Sequence, residues 1–196
     1  DATELTGDVL LFMLLAPLQF FNRYVGLKLS GERPRLIALY RHIFTLVLLL
    51  WLLLQLAPIG YGANLGIHVL VYAVLTAIST LVLVRILYRI WRIETINADV
   101  LFGIIICYAT VIVIGFELHA INHQLHPGAY NFLPEMKHHS QLLFLSMGST
   151  TTLGGPITVN TTTAQLINYF QSYVSQVFLV VFVSRMIGLH TGSNEG

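Results

Sequence analysis

The chain has 196 residues, 56% of them hydrophobic and only 10% charged, with a mean hydropathy of +0.75, which excludes an ordinary water-soluble domain. Its formal net charge of +1 is too small to point to nucleic acid or an acidic surface as partner. The single cysteine, Cys107, excludes an intrachain disulfide and a cysteine metal cluster, and inside an apolar run it reads as a small buried hydrophobe.

A hydrocarbon slab of about 30 Å takes about 20 apolar residues in a helix, and that length divides the sequence. The opening DATELTGD has no methionine and no basic region ahead of an apolar core, so no intact secretory signal is expected there and a processed start is expected instead. Residues 8–25 (DVLLFMLLAPLQFFNRYV) are interrupted by Pro17 and are marginal in length, so they either span or lie in the interface. With the basic linker that follows, they form a first region, residues 1–35. A second region, residues 36–96, holds two spans: 36–57 (LIALYRHIFTLVLLLWLLLQLA), followed by PIGYGAN as a turn, and about 65–90. The last region, 97–196, carries a span over about 99–121, a short apolar piece in HSQLLFLSMGSTT, and a final span over about 163–189.

Cytoplasmic flanks hold Lys and Arg. Arg23, Lys28, Arg33, Arg35 and Arg41 gather around the start of the second segment; Arg85, Arg89 and Arg92 end the third; Arg185 ends the last; only Lys137 falls on the other side. The topology then closes with the carboxy terminus inside and five spans, or four if the first segment is interfacial. A lipid bilayer, that of a bacterial inner membrane, is the expected location. Residues 122–162 lie outside, and their apolar piece of about a dozen residues is too short to cross, so a re-entrant helix is expected. Irregular backbone at membrane depth survives only where protein buries it or where it lines a watery cavity. STTTLGGPI, residues 149–157, is the expected return.

Glycine reaches left-handed backbone angles cheaply, so Gly154 and Gly155 allow carbonyls to turn toward a common axis, and Pro156 stiffens the exit. A ring of such carbonyls replaces the hydration shell of a cation, and a ring needs several copies of the chain. Here the sequence resembles the pore module of the potassium-channel superfamily, especially small bacterial members whose pore reads like TLTTLGYGDI. NADVLFG (Asn97 to Gly103) and Tyr108 resemble the start of the outer pore helix, and HPGAY (His126 to Tyr130) the start of the turret. FLSMGSTTTLG (Phe144 to Gly154) is similar to pore helix and filter, and SRMIGLH (Ser184 to His190) to the end of the inner helix. The matches run in order through the last region.

The resemblance implies an all-α integral membrane protein: transmembrane helices with a pore module of helix, re-entrant pore helix, filter loop and helix at the carboxy terminus. It implies a passive homotetrameric cation channel, not an enzyme, with K+ or Na+ as the permeant ion and no resident cofactor. Thr152, Leu153, Gly154 and Gly155 would line the filter, and Ser146, Ser149, Thr150 and Thr151 would support it from the pore helix, their hydroxyls bonding back to the helix or to neighbouring chains. The family places an aromatic, usually Tyr, between the two glycines and an Asp after the second; this chain reads Gly154, Gly155, Pro156, Ile157. One carbonyl layer and the aromatic brace are missing, which implies weakened potassium selectivity or a pore that does not conduct. In the inner helix, Ser175 stands where a hinge glycine is common and Gln171 where a carboxylate often faces the filter support. Gln171, Ser175, Phe178 and Leu179 are candidates for cavity or gate, and Gln171 and Gln176 are expected to face other subunits or the cavity. The alternative is a non-conducting accessory or structural subunit among other membrane subunits.

Outer histidines are numerous. His119 and His123 are four apart and share a helix face if the helix continues, so that with His126 they suggest a zinc or copper site, or a proton sensor. The plainer explanation is a polar helix end and turret. Arg85, Arg89 and Arg92 have voltage-sensor spacing but sit at one end of their span, where a positive-inside anchor explains them. No acid pair, nucleophile elbow or phosphate loop points to catalysis.

Overall fold

The computed structural model describes residues 61–92, 98–136, 138–155 and 157–192. The segments expected at 8–25 and 36–57 lie outside the described residues. Four helices and two short strands follow one another: α1 (Tyr61–Trp91), α2 (Ala98–Leu125), β1 (Tyr130–Asn131), α3 (His138–Thr151), β2 (Thr158–Val159) and α4 (Thr162–Gly192). Among the described residues three stretches are long and apolar enough to cross a membrane, Leu65–Tyr88, Gly103–Leu125 and Thr162–Gly188. At 14 residues, α3 is too short to do so.

Two expected boundaries move. α1 begins at Tyr61, so YGAN forms the first helical turn rather than a connection. α2 runs to Leu125, past the expected end near residue 121. The reason is that Asn122 and His123, which look like a polar exit from lipid, turn inward onto Tyr130 and Phe132 and continue the helix under protein cover.

α2 touches each of the other three helices. It runs antiparallel to both α1 and α4, and two apolar clusters mark the ends of the bundle. One cluster joins Tyr72, Phe116, Ala120, Ala129, Tyr130, Leu142, Leu145, Ile157 and Ala164. The other joins Val82, Ile86, Ile90, Val100, Cys107, Phe178 and Phe182. At the second end, Arg185 donates to the Trp91 carbonyl and lies 4.8 Å over its ring, so the last residues of α1 and α4 are tied.

The segment between α2 and α4 is a closed excursion. Its ends meet in an antiparallel ladder, Tyr130 opposite Val159 and Asn131 opposite Thr158, extended by Asn160 N donating to Ala129 O at 2.9 Å. Between these ends α3 lies antiparallel to α2: His138 meets His123 at 5.5 Å between ring centroids, Ser146 reaches Ile112, and Thr150 reaches Tyr108. The chain then comes back, with Gly154 beside Gly148 and Gly155 beside Leu145, to rejoin the ladder. Gln141 starts α3 by folding over the preceding turn: its Oε1 accepts from Leu133 N at 2.8 Å, and its Nε2 donates to Leu133 O at 2.8 Å and Met136 O at 2.6 Å. Thr161 caps α4 with Oγ1 accepting from Ala164 N at 3.4 Å.

Leu142 is fully buried where α3 meets the ladder. Replacing it by alanine is expected to cost about 2–5 kcal/mol. Denaturant titration of the protein in detergent micelles reads that loss; a change below about 0.5 kcal/mol would contradict the packing.

Candidate functional site

The Gln171 carboxamide lies 5% exposed in the middle of three apolar helices. Its Nε2, with two hydrogens to share, lies within donating reach of Ser146 O at 3.0 Å, Ser146 Oγ at 2.7 Å and Thr150 Oγ1 at 2.7 Å. Ser146 Oγ passes its own proton to Ile112 O at 2.6 Å. α4, α3 and α2 are thereby joined through one amide. Space for it exists because residue 115 is glycine: a Cβ there would lie 2.2 Å from the Gln171 amide carbon and nitrogen. An unpaired buried amide costs about 1–3 kcal/mol, so these bonds hold the side chain in place and α3 against it.

The carboxy-terminal turn of α3 is capped from both sides. Tyr108 OH donates to Thr150 O at 2.9 Å, and Ser172 Oγ donates to Ser149 O at 2.9 Å. Ser149 Oγ bonds Asn168 Oδ1 and Leu145 O. Thr152 has φ of 62°, a left-handed conformation that glycine normally supplies at a helix end and that a β-branched residue adopts only under strain. Gly154 follows with φ of 81°, and its N–H donates to Gly148 O at 3.2 Å. Its carbonyl oxygen lies against Gly148, only 1.7 Å from where a Cβ would sit, so only glycine fits there.

Each sequence-derived candidate has a definite place. Thr152, Leu153, Gly154 and Gly155 are all exposed, Leu153 at 87%. At Gly154 the carbonyl oxygen is turned onto α3, where the bond from Gly154 N to Gly148 O brings the two glycines face to face. Ser146, Ser149 and Thr150 are buried and bonded to α2 and α4, whereas Thr151 is exposed and bonds back to Met147 O at 2.8 Å. Gln171, Ser175 and Phe178 are buried within the chain. Gln171 finds its partners within the chain, Ser175 Oγ donates to Gln171 O at 2.8 Å, and Phe178 stacks between Tyr108 and Phe182. Leu179 and Gln176 are exposed. The open side of α4 carries instead Leu166, Tyr169, Phe170, Tyr173, Val180 and Ile187, spaced as one helical stripe.

The histidine expectation is corrected as well. Because α2 continues to Leu125, His119 and His123 do share a helix, but they serve packing. His119, fully buried, places Nδ1 2.8 Å from Tyr130 OH, and Asn122 Nδ2 donates to the same hydroxyl at 3.1 Å. His123 meets Phe132 edge to face at 4.9 Å, and His138 stacks on Phe132 at 4.1 Å. His126 is exposed at the turn beyond α2. Among the described residues no group of three or more His, Cys, Asp and Glu is arranged to hold a metal ion, so zinc or copper at His119, His123 and His126 is not supported.

Sequence reasoning did not anticipate four residues of this site: Tyr108 as a cap, Gly115 and Gly148 as points of close approach, and Tyr130 as the hub of the histidine pair. Small residues within an apolar helix are a usable signal for close contact, and Gly115 has it. Comparison with known proteins found no matching family, no matching curated protein and no matching solved structure.

Gly115→Ala is expected to drive the Gln171 amide off its acceptors and to cost about 1–3 kcal/mol, while a double-mutant cycle with Gln171→Ala recovers most of that loss. Additive losses would contradict the contact. Burial pushes the Tyr130 phenol up to about 12, against a smaller opposing effect of the Asn122 bond. The unfolded chain therefore loses this proton first, near pH 10. The stability this contributes is complete below about pH 10 and lost as pH rises through about 12. Unfolding midpoints followed across that window should fall in the wild type and show a shallower fall in Tyr130→Phe.

Proposed function

We propose that the chain is one subunit of a passive cation channel, a homotetramer in the membrane that passes K+ or Na+ by exchanging ion hydration for backbone carbonyl oxygens. The single observation that carries the proposal is the exposure of residues 151–155 at the depth of Tyr108, well inside the apolar span Gly103–Leu125. Lipid satisfies no peptide group, and each one left bare there costs several kcal/mol. Copies of the chain around a watery axis remove that cost. The aromatic stripe on α4 suits a neighbouring subunit or lipid beside such an axis. Excursion and ladder then lie on the outer side of a bacterial inner membrane, with the carboxy terminus cytoplasmic, as the basic residues imply. The negative end of the α3 dipole favours a cation near residue 152.

One feature favours a second reading. The Gly154 carbonyl turned onto Gly148 removes one oxygen from any shared ring, beyond the layer already missing from the TLGG sequence. A non-conducting accessory subunit that keeps the pore-like fold has this property.

Copy number of the purified particle and planar-bilayer recording with unequal K+ and Na+ separate the readings. The expected outcome is a fourfold particle whose current reverses between the two ions' equilibrium potentials and is abolished by Gly148→Ala, which displaces the return stretch. A solitary chain overturns the channel reading, and so does a silent tetramer, the latter in favour of the accessory subunit.

A further inference from the structure

The Gln171 amide is bonded at one end only. Its Nε2 must be the nitrogen, because Ser146 O can only accept and Ser146 Oγ has already given its proton to Ile112 O. Its Oε1 is therefore aimed away from α3, and that oxygen is buried with no hydrogen bond within 3.5 Å among the described residues. The same holds for His119 Nε2, and His119 stands one turn beyond Gly115 on the face of α2 that the Gln171 amide abuts. Two acceptors cannot face one another stably, so the proton between them belongs on Nε2. His119 Nδ1 is then an acceptor and takes the proton of Tyr130 OH, which is free to give it because Asn122 Nδ2 donates to the Tyr130 oxygen. Each group in this series has its direction fixed by the one before it.

We propose that Asn122, Tyr130, His119 and Gln171 form a one-way chain of hydrogen bonds from the ladder to the last turns of α3, making His119 and Gln171 the positioning residues for the ion preference of the return stretch. Only the ion-preference part rests on the channel reading; the chain itself does not. It supplies what the absent filter aromatic leaves out, a strut fixing the stretch from behind. The strut is anchored where β1 closes the excursion, so the mouth of the loop and its deepest turn are held in one register.

Three measurements on the full chain in lipid vesicles test this. Nitrogen-15 spectra of histidine-labelled protein, with the His119 signal assigned by its loss in H119Q, should show a protonated Nε2 and a bare Nδ1; the opposite tautomer overturns the chain. Amide hydrogen exchange at residues 145–151 should be alike in wild type and H119Q, whose longer amide puts a donor at the Nε2 position. It should be about tenfold faster in H119N, whose amide reaches only the Nδ1 position, and in Q171L. Equal exchange in H119Q and H119N overturns the chain, because only volume would then matter. Where the wild type conducts, the K+/Na+ permeability ratio should hold in H119Q and shift in H119N and Q171L; an unchanged ratio overturns the ion-preference part. A silent wild type removes the channel reading and that part with it, while the tautomer and exchange results still decide the chain.

Discussion

One buried carboxamide organises this molecule. Gln171 meets α3 at one carbonyl and two hydroxyls, Ser146 O, Ser146 Oγ and Thr150 Oγ1, at a depth where water does not compete for them. With it, a short helix of 14 residues, too weak to persist alone, is bonded to both of its long neighbours. Gly115 makes the arrangement possible by removing the one atom that would occupy the amide's place. In surroundings where water does not compete, such a network fixes a single geometry, and the geometry fixed here is that of the strained turn at Thr152.

Polarity is divided accordingly between two faces of the excursion. Ser146, Ser149 and Thr150 turn inward and are satisfied by α2 and α4, while residues 151–155 are exposed, with the N–H groups of Thr152 and Gly154 bonded back to α3. The ladder between β1 and β2 holds both ends of this unit at one end of the bundle. Strain at Thr152 and the inward Gly154 carbonyl lie within that exposed stretch, where departures from relaxed backbone usually mark function.

Much of this architecture is legible in the sequence, because apolar length is a strong signal. The two later apolar helices and the short helix between them follow from the lengths of their apolar runs. Side-chain direction is not legible in the same way. Gln171 in an apolar helix announces only that it needs a partner, and a helix offers that partner from several sides. The histidines misled for a related reason. Spacing of four put His119 and His123 on one face, but the tertiary neighbours Tyr130 and Phe132, distant in sequence, had already claimed their rings. The helix end near residue 121 was misplaced because hydropathy registers polar atoms without registering their bonds.

The order in which the chain can acquire this form follows from where the partners of α3 reside. Ile112 and Tyr108 lie on α2, before it, and Asn168, Gln171 and Ser172 lie on α4, after it. A ribosome delivers α3 before half of its bonding groups exist. During synthesis α3 can therefore complete its bonds only once α4 has emerged, whereas both strands of the two-rung ladder are already present by then.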